Sequence, residues 1–299
     1  MELQQLRAVL GVANAGNFTR AAERLDLAQP SLSQHILNLE KELGQKLFHR
    51  LGRRAVPTEA GVAFIERARR ILFEVESAEK EFSDSPSMER RIVVGAIPTL
   101  APYLLPSLIQ RCRKRFLNLR ISVQEDFKTR LLQGIVDGVL DLALVSLPVE
   151  DSRIHAEPLL REPLLLAVAK HHPLALKGQA IPSDLADETF VMLGTSSSLA
   201  EQVRSFFGDH HFEPRIGFRC SQVATVKSLV GIGVGVSILP RIARSELDHD
   251  IQYIELHGAE PFREIGVLRH VQRYQSRGAE QFLGVVRERA RELVEGAPV

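Results

Sequence analysis

Residues 17–44 read NFTRAAERLDLAQPSLSQHILNLEKELG, and this stretch decides the fold of the N-terminal region. Asn17 is a favourable N-cap for a short helix with small buried side chains. Pro30 suits the first turn of the next helix, whose apolar residues recur at helical spacing until Gly44 ends it. A further amphipathic helix precedes both and ends at Gly16. Three helices separated by tight turns predict a helix-turn-helix.

The exposed start of the third helix carries uncharged side chains that form hydrogen bonds. Such side chains suit the base edges of a DNA major groove. The alternative is an ordinary polar helix face. The side chains concerned are those of Gln29, Ser31, Ser33, Gln34 and His35.

A basic segment follows this helix. Residues 46–54 contain four Lys or Arg residues and no acidic residue, although the whole chain has a net charge of only +1. Residues 1–58 contain eight basic and five acidic side chains, a net charge of +3. A short β-ribbon turning near Gly52 would hold Arg50, Arg53 and Arg54 against phosphates. The positive charge is therefore concentrated where a DNA-binding wing is expected.

Residues 17–61 resemble the LysR-type transcriptional regulators, without a gap. The match consists of NFTRAA at 17–22, QPSLS at 29–33, LE at 39–40, LG at 43–44, LF at 47–48 and TEAG at 58–61. The resemblance implies that Gln29, Pro30, Ser33 and Gln34 lie at the groove. It places Ser31 at a helix cap or a phosphate, and Arg50 and Arg53 in the wing.

Residues 59–82 are predicted to form a long helix that Thr58 caps. Apolar side chains recur in it at alternating steps of three and four residues, which is typical of a heptad seam. The seam packs either on its own chain or on the same helix of a second subunit. We favour dimerisation, because paired half-sites on DNA need two recognition helices. The seam consists of Ile65, Ala68, Leu72, Val75, Glu79 and Phe82, and residues 83–87 form a predicted hinge.

From Arg91 onward, apolar strands and helices alternate. Strands are predicted over 92–97, 119–124 and 140–145, with helices over 104–115 and 131–136 between them. This order predicts a parallel sheet covered by helices, with ligands bound beyond the carboxyl ends of the strands.

A second α/β unit follows the first. Strands are predicted over 164–169, 190–193, 216–219, 234–238 and 265–270, and helices over 198–207, 221–230 and 278–294. The chain therefore forms two lobes joined by crossovers near residues 161 and 266. A cleft between two lobes is a good site for a small molecule.

This region is similar to the LysR-type effector domain, which has a fold like that of periplasmic binding proteins. The matching segments are VDGVLDLAL at 136–144, HPLA at 172–175 and VGIGVGVSILP at 230–240. The predicted fold class is α/β, with an N-terminal winged helix-turn-helix and a long linker helix before a two-lobed effector domain. The predicted domains are 1–58 for DNA binding, 59–87 for the linker and 88–299 for the effector, with lobe I over 88–161 and 267–299 and lobe II over 162–266.

Polar side chains fall at the predicted strand ends, beside helix starts that favour anions. The family resemblance implies that positions such as Thr99, Lys128, residues 196–198 and Val223 line the cleft. The alternative is that the serines cap helices and that Lys128 is a solvated lysine. We expect an anionic effector. The predicted effector residues are Thr99, Lys128, Thr129, Ser146, Ser196, Ser197, Ser198 and Val223.

The second lobe is most similar to the peroxide-sensing OxyR branch of the family, which has a reactive cysteine where this chain has Ser198. Residues 199–212 contain no cysteine, so a disulfide switch of that kind is not available. Cys112 and Cys220 are expected to pack as small apolar side chains. The two adjacent histidine pairs have poor chelating geometry, and no metal or cofactor is predicted.

These observations predict a sequence-specific DNA-binding regulator that is switched by a small molecule and is not an enzyme. The expected partners are double-stranded DNA, the effector, further copies of the chain in a dimer or tetramer, and RNA polymerase. One alternative is a small-molecule binding module with a helical N-terminal domain that does not bind DNA. An enzyme is a further alternative, although no catalytic motif is present. Low cysteine content and the lack of a signal pattern favour the cytoplasm.

Overall fold

The computed structural model describes residues 1–52, 54–83 and 90–295. The chain forms two compact units, Met1–Ser85 and Pro86–Val299, each with hydrophobic clusters of its own. Among the described helices, none combines the length and the apolar composition that a membrane-spanning segment needs.

The N-terminal unit begins with the three predicted helices, α1 (Leu3–Ala15), α2 (Phe18–Arg24) and α3 (Gln29–Leu43). Asn17 caps α2, since its side-chain oxygen accepts a hydrogen bond from the Arg20 amide at 3.1 Å. Gly16 and Gly44 end α1 and α3 in the left-handed conformation, with φ of +62° and +66°. That conformation is strained for residues with a Cβ atom, which explains both glycines.

The predicted wing is an antiparallel ribbon of β1 (Phe48–Leu51) and β2 (Arg54–Pro57). Gly52 lies in its turn with φ of +61°. The Ala55 amide donates to the Gly16 carbonyl at 2.9 Å, which attaches β2 to the turn between α1 and α2. Arg53 lies outside the described residues.

Helix α4 (Glu59–Ser83) follows the wing, and Thr58 caps it by accepting a hydrogen bond from the Gly61 amide at 2.9 Å. The assignment of the whole heptad seam to a second subunit is wrong for its first half. Ile65 packs into the core of the three-helix unit, and Ala68 and Leu72 pack against Leu6 of α1. Val75 is half-buried, while the side chains of Glu79 and Phe82 and hinge residues 84–87 lie outside the described residues.

Lobe I of the C-terminal unit has the predicted alternation of strands and helices. Strand β3 pairs in parallel with β4 and β5, and α10 packs on α5 and β3. The elements are β3 (Arg90–Ala96), α5 (Ala101–Arg115), β4 (Leu119–Glu125), α6 (Lys128–Asp137), β5 (Leu142–Ser146) and α10 (Arg277–Val294).

Lobe II contains two small groups of strands with helices around them. Its elements are α7 (Pro173–Lys177), β7 (Thr189–Leu193), α8 (Ser198–Asp209), β8 (Arg215–Cys220), α9 (Val223–Gly231), β9 (Ser237–Pro240) and β10 (Ile251–Ile254). Strand β9 starts three residues later than predicted, since the preceding residues form a turn with Gly233 at φ of +79°. Neither α7 nor β10 was predicted.

Two long strands cross the predicted lobe boundaries. Strand β6 (Ile154–Ala169) pairs with β11 (Phe262–His270) along its first half and with β9 and β10 along its second. The sequence predicted only the apolar second half of β6, because residues 155–163 mix charged side chains, apolar side chains and two prolines, and most of them are exposed or partly exposed. The crossovers are therefore continuous strands. Through β6, the lobe II strands β9 and β10 belong to the same sheet as the lobe I strands, whereas β7 and β8 form a separate pair.

Candidate DNA-binding surface and effector pocket

The start of α3 presents its polar side chains at the surface. Gln29, Pro30, Ser31 and Gln34 are exposed, and Ser33 is half-buried. The Gln29 amide donates to the Ser33 hydroxyl at 2.9 Å, and the Gln34 amide donates to Asn38 at 2.7 Å. Each bond uses one N–H of a glutamine amide, which carries a second N–H and a carbonyl oxygen. The exposed side chains therefore offer both donors and acceptors to base edges.

A concave surface lies between α2, the start of α3 and the wing, and we call it the wing concavity. The guanidinium of Arg50 lies over the Phe18 ring, 4.4 Å from its centroid. No carboxylate is among its described lining residues, so it is suited to an anionic partner such as a phosphate. Its polar lining side chains are those of Asn17, Thr19, Arg20, Gln29, Arg50 and Arg54.

Glu40 connects α3 to the wing from inside the protein. Its carboxylate is 8% exposed and accepts hydrogen bonds from the amides of Leu47 at 2.8 Å and Phe48 at 3.3 Å. Lys46 also donates to it at 3.0 Å. The wing therefore begins at a fixed position relative to α3. In the sequence, Glu40 is marked only by its place in the LysR-type motif, in the pair LE at 39–40.

A pocket lies between the two lobes of the C-terminal unit, and we call it the interlobe pocket. Six of the eight predicted effector residues line it: Thr99, Lys128, Ser196, Ser197, Ser198 and Val223. Thr129 is exposed and Ser146 is fully buried, and neither lines it, so those two assignments are wrong for this pocket. The lining residues that sequence analysis missed are Ile97, Pro98, Phe127, Leu193 and Ser221.

Three helices begin at the interlobe pocket. The N-cap residues of α6, α8 and α9 are Phe127, Ser197 and Gln222, and none forms a side-chain hydrogen bond to its own helix. Ser197 therefore occupies the N-cap position of α8 without capping the helix through its hydroxyl. Uncapped helix starts present backbone N–H groups and the positive ends of helix dipoles, which attract anions.

Lys128 supplies a positive charge at the same place. Its ammonium donates a hydrogen bond to the Pro148 carbonyl, and its side chain is half-buried rather than fully solvated. Burial lowers the pKa of Lys128, and the negative charge of Glu201 opposes that change. A partly desolvated ammonium interacts with an anion more strongly than one in bulk water.

Thr99 accepts hydrogen bonds from Arg263, which belongs to a buried ion pair with Glu162. The guanidinium of Arg263 donates to the Thr99 hydroxyl oxygen at 2.8 Å and to its carbonyl at 3.2 Å. Arg263 also donates to Glu162 at 2.6 Å, and the other oxygen of Glu162 accepts from the Ile242 amide at 2.8 Å. A hydroxyl that accepts from arginine keeps its own hydrogen for donation. Both charged residues lie at the predicted crossovers, just before the predicted strands 164–169 and 265–270, so no local pattern in the sequence marked them as buried.

Comparison with known proteins gives two matches to protein families. "Bacterial regulatory helix-turn-helix protein, lysR family" matches residues 3–62, and "LysR substrate binding domain" matches residues 86–291. The chain belongs to the LysR family of DNA-binding transcriptional regulators. The LysR-type effector domain predicted from the sequence is thereby confirmed, and so is the DNA-binding domain.

Relatives of this LysR regulator support the same assignment. OxyR of Escherichia coli (strain K12) is 32% identical over 271 residues, which are 90% of this chain and 89% of that protein. A variant of full-length OxyR from Pseudomonas aeruginosa has a TM-score of 0.79 at 25% identity, covering 96% of this chain and 98% of that chain. CbnR in complex with its target DNA has a TM-score of 0.69 at 25% identity, covering 96% of this chain and 99% of that chain.

Both cysteines of this LysR regulator are free thiols. Burial raises the pKa of Cys112 to about 11 and also raises that of Cys220. Because the thiolate is the reactive form, both side chains are poor nucleophiles at neutral pH. Among the residues that the structure describes, no group of three or more His, Cys, Asp or Glu side chains could hold a metal ion.

Proposed function

We propose that this LysR-family regulator is switched by a small anionic effector bound in the interlobe pocket. The observation that carries the proposal is the meeting of three uncapped helix starts with the Lys128 ammonium. The Thr99 hydroxyl adds a hydrogen-bond donor, since Arg263 already occupies its oxygen as an acceptor. All of these groups favour a ligand that carries negative charge and accepts hydrogen bonds.

The size of the pocket indicates how binding would be coupled to conformation. The cavity measures about 330 Å³ including its open mouth, and the space enclosed among its side chains is water-sized. An effector larger than a few atoms therefore requires the lobes to move apart. A ligand that binds one arrangement of the lobes more tightly shifts the population toward it.

Thermal unfolding of the full chain tests the effector class. We expect carboxylates to raise the melting temperature more than their neutral amides, compared in matched pairs such as benzoate with benzamide and acetate with acetamide. Lys128→Ala should abolish the increase, because it removes the only lysine among the described lining residues. Lys170→Ala, an exposed lysine outside the pocket, is the control. Equal stabilisation by the amides, together with no effect of Lys128→Ala, would refute the anionic class.

We also propose that residues at the start of α3 read base edges while the wing holds the DNA backbone. The reading residues are Gln29, Pro30, Ser31, Ser33 and Gln34, and the backbone residues are Arg50, Arg53 and Arg54. Pairs of subunits in a dimer or tetramer would place two recognition helices in successive major grooves. Such a regulator acts in the cytoplasm, where the chromosome lies, with RNA polymerase as a further partner.

Two classes of DNA-binding variant should behave differently. Gln29→Ala should weaken binding to a footprinted operator about 10- to 100-fold and leave random-sequence DNA unaffected, because it removes base contacts. Arg54→Ala should weaken binding to the operator and to random-sequence DNA alike. It should also reduce the slope of log affinity against log salt concentration by about 0.9, the value for one phosphate contact. Arg7→Ala, exposed on α1, is the control. If Gln29→Ala and Arg54→Ala behave alike in both assays, the division between groove and backbone residues is wrong.

A further inference from the structure

Phe18 connects the wing to the helix-turn-helix through its aromatic ring. It is the first residue of α2, and its ring is half-buried. It forms a T-shaped contact with the buried ring of Phe48 in β1, with centroids 6.1 Å apart. The ring is therefore fixed in position by the core of the N-terminal unit.

The face of the same ring carries the Arg50 guanidinium at 4.4 Å. Arg50 belongs to β1 and its side chain is exposed, so without such a contact it would sample many rotamers. A guanidinium over an aromatic face is attracted by the ring electrons, and this contact does not use its N–H donors in hydrogen bonds. The contact therefore restricts the freedom of Arg50 and leaves its donors available.

The surroundings favour a phosphate as the partner of these donors. Arg20 and Arg54 line the same wing concavity, and no carboxylate is among its described lining residues. No acidic side chain of the concavity therefore competes for Arg50. Positive charges held together without a counter-charge attract the DNA backbone.

We propose that Phe18 is a positioning residue for DNA binding, whose ring holds Arg50 in the orientation that contacts a backbone phosphate. The proposal rests on the proposed role of Arg50 at the backbone. Phe18 itself need not touch DNA, because its contribution is the reduced freedom of the guanidinium before binding.

A double-mutant cycle on the full chain separates this role from a general effect on the fold. The probe is a random-sequence DNA duplex, titrated at several salt concentrations. Arg50→Ala should weaken binding about 10-fold and reduce the salt slope by about 0.9. Phe18→Leu, which keeps an apolar side chain in the core, should weaken binding about 2- to 5-fold. In the Arg50→Ala background, Phe18→Leu should have almost no further effect, because the two residues act through one contact.

Phe18→Tyr is the conservative variant, and it should restore at least most of the affinity, since a tyrosine ring also binds a guanidinium. If Phe18→Leu weakens binding equally with and without Arg50, the ring acts through the fold and the inference is wrong. If Arg50→Ala leaves both the affinity and the salt slope unchanged, Arg50 does not contact the DNA backbone, and the proposed function of Arg50 is wrong rather than the role of Phe18 alone. Melting temperatures of all variants show that binding is measured on folded protein.

Discussion

Replacing Glu162 with alanine should lower the free energy of unfolding of the C-terminal unit by about 3–5 kcal/mol. The reason is the charge left behind. The Arg263 side chain is fully buried, and Glu162 is its one ion-pair partner among the described residues. Removing that carboxylate leaves a buried guanidinium without its counter-charge, and it also leaves the Ile242 amide without its acceptor. Denaturation by urea, followed by circular dichroism, measures the change.

A matched control lies on the same strand. Glu157 forms an ion pair with Arg287 that is much more exposed, so Glu157→Ala should cost only about 0–1 kcal/mol. The loss of stability for Glu162→Gln should lie between the losses for these two variants, since glutamine keeps an acceptor for the Ile242 amide but removes the charge. Similar losses for Glu162→Ala and Glu157→Ala would mean that the buried pair contributes no more than a surface pair, against expectation.

Replacing Glu40 with alanine should destabilise the N-terminal unit by about 2–4 kcal/mol. The carboxylate accepts from two buried backbone amides, those of Leu47 and Phe48, and alanine leaves both without that acceptor. The start of the wing would then separate from α3, and DNA affinity would fall with stability. Hydrogen exchange of the two amides reports the local opening directly.

Glu42 provides the control for this prediction, because it lies on the same helix but is half-exposed and pairs with the N-terminal ammonium. Glu42→Ala should change stability by about 0–1 kcal/mol. Slow exchange of the Leu47 and Phe48 amides in Glu40→Ala would show that this carboxylate does not hold the wing.

The N-terminal fold could be predicted from the sequence because its local signals agree with one another. Asn17, Gly16 and Gly44 mark helix ends by their own conformational preferences, whatever lies elsewhere in the chain. The heptad seam was harder to assign, since Ala68 and Leu72 fit either a second subunit or α1 equally well. Periodicity identifies an apolar face but does not identify its partner.

The lining of the interlobe pocket could be predicted where it depends on strand ends and helix starts, as for Thr99, Lys128 and residues 196–198. It was not predictable where it depends on long-range pairing. Glu162 and Arg263 are 101 positions apart, and only the adjacent crossover strands bring them together behind Thr99. The prediction that Ser146 lines the pocket was wrong for a related reason. Whether the last residue of a strand is exposed to a pocket depends on the strands beside it, and Ser146 is fully buried.

The shared strands β6 and β11 also determine how the effector domain can be divided. An excision of residues 162–266 would cut both strands in the middle and expose unpaired edges to aggregation. Lobe II is therefore unsuited to expression as a separate fragment, and a fusion partner inserted near residue 161 would interrupt the main sheet. A domain built on strands common to both halves should also unfold in a single cooperative transition, even though it has two hydrophobic cores.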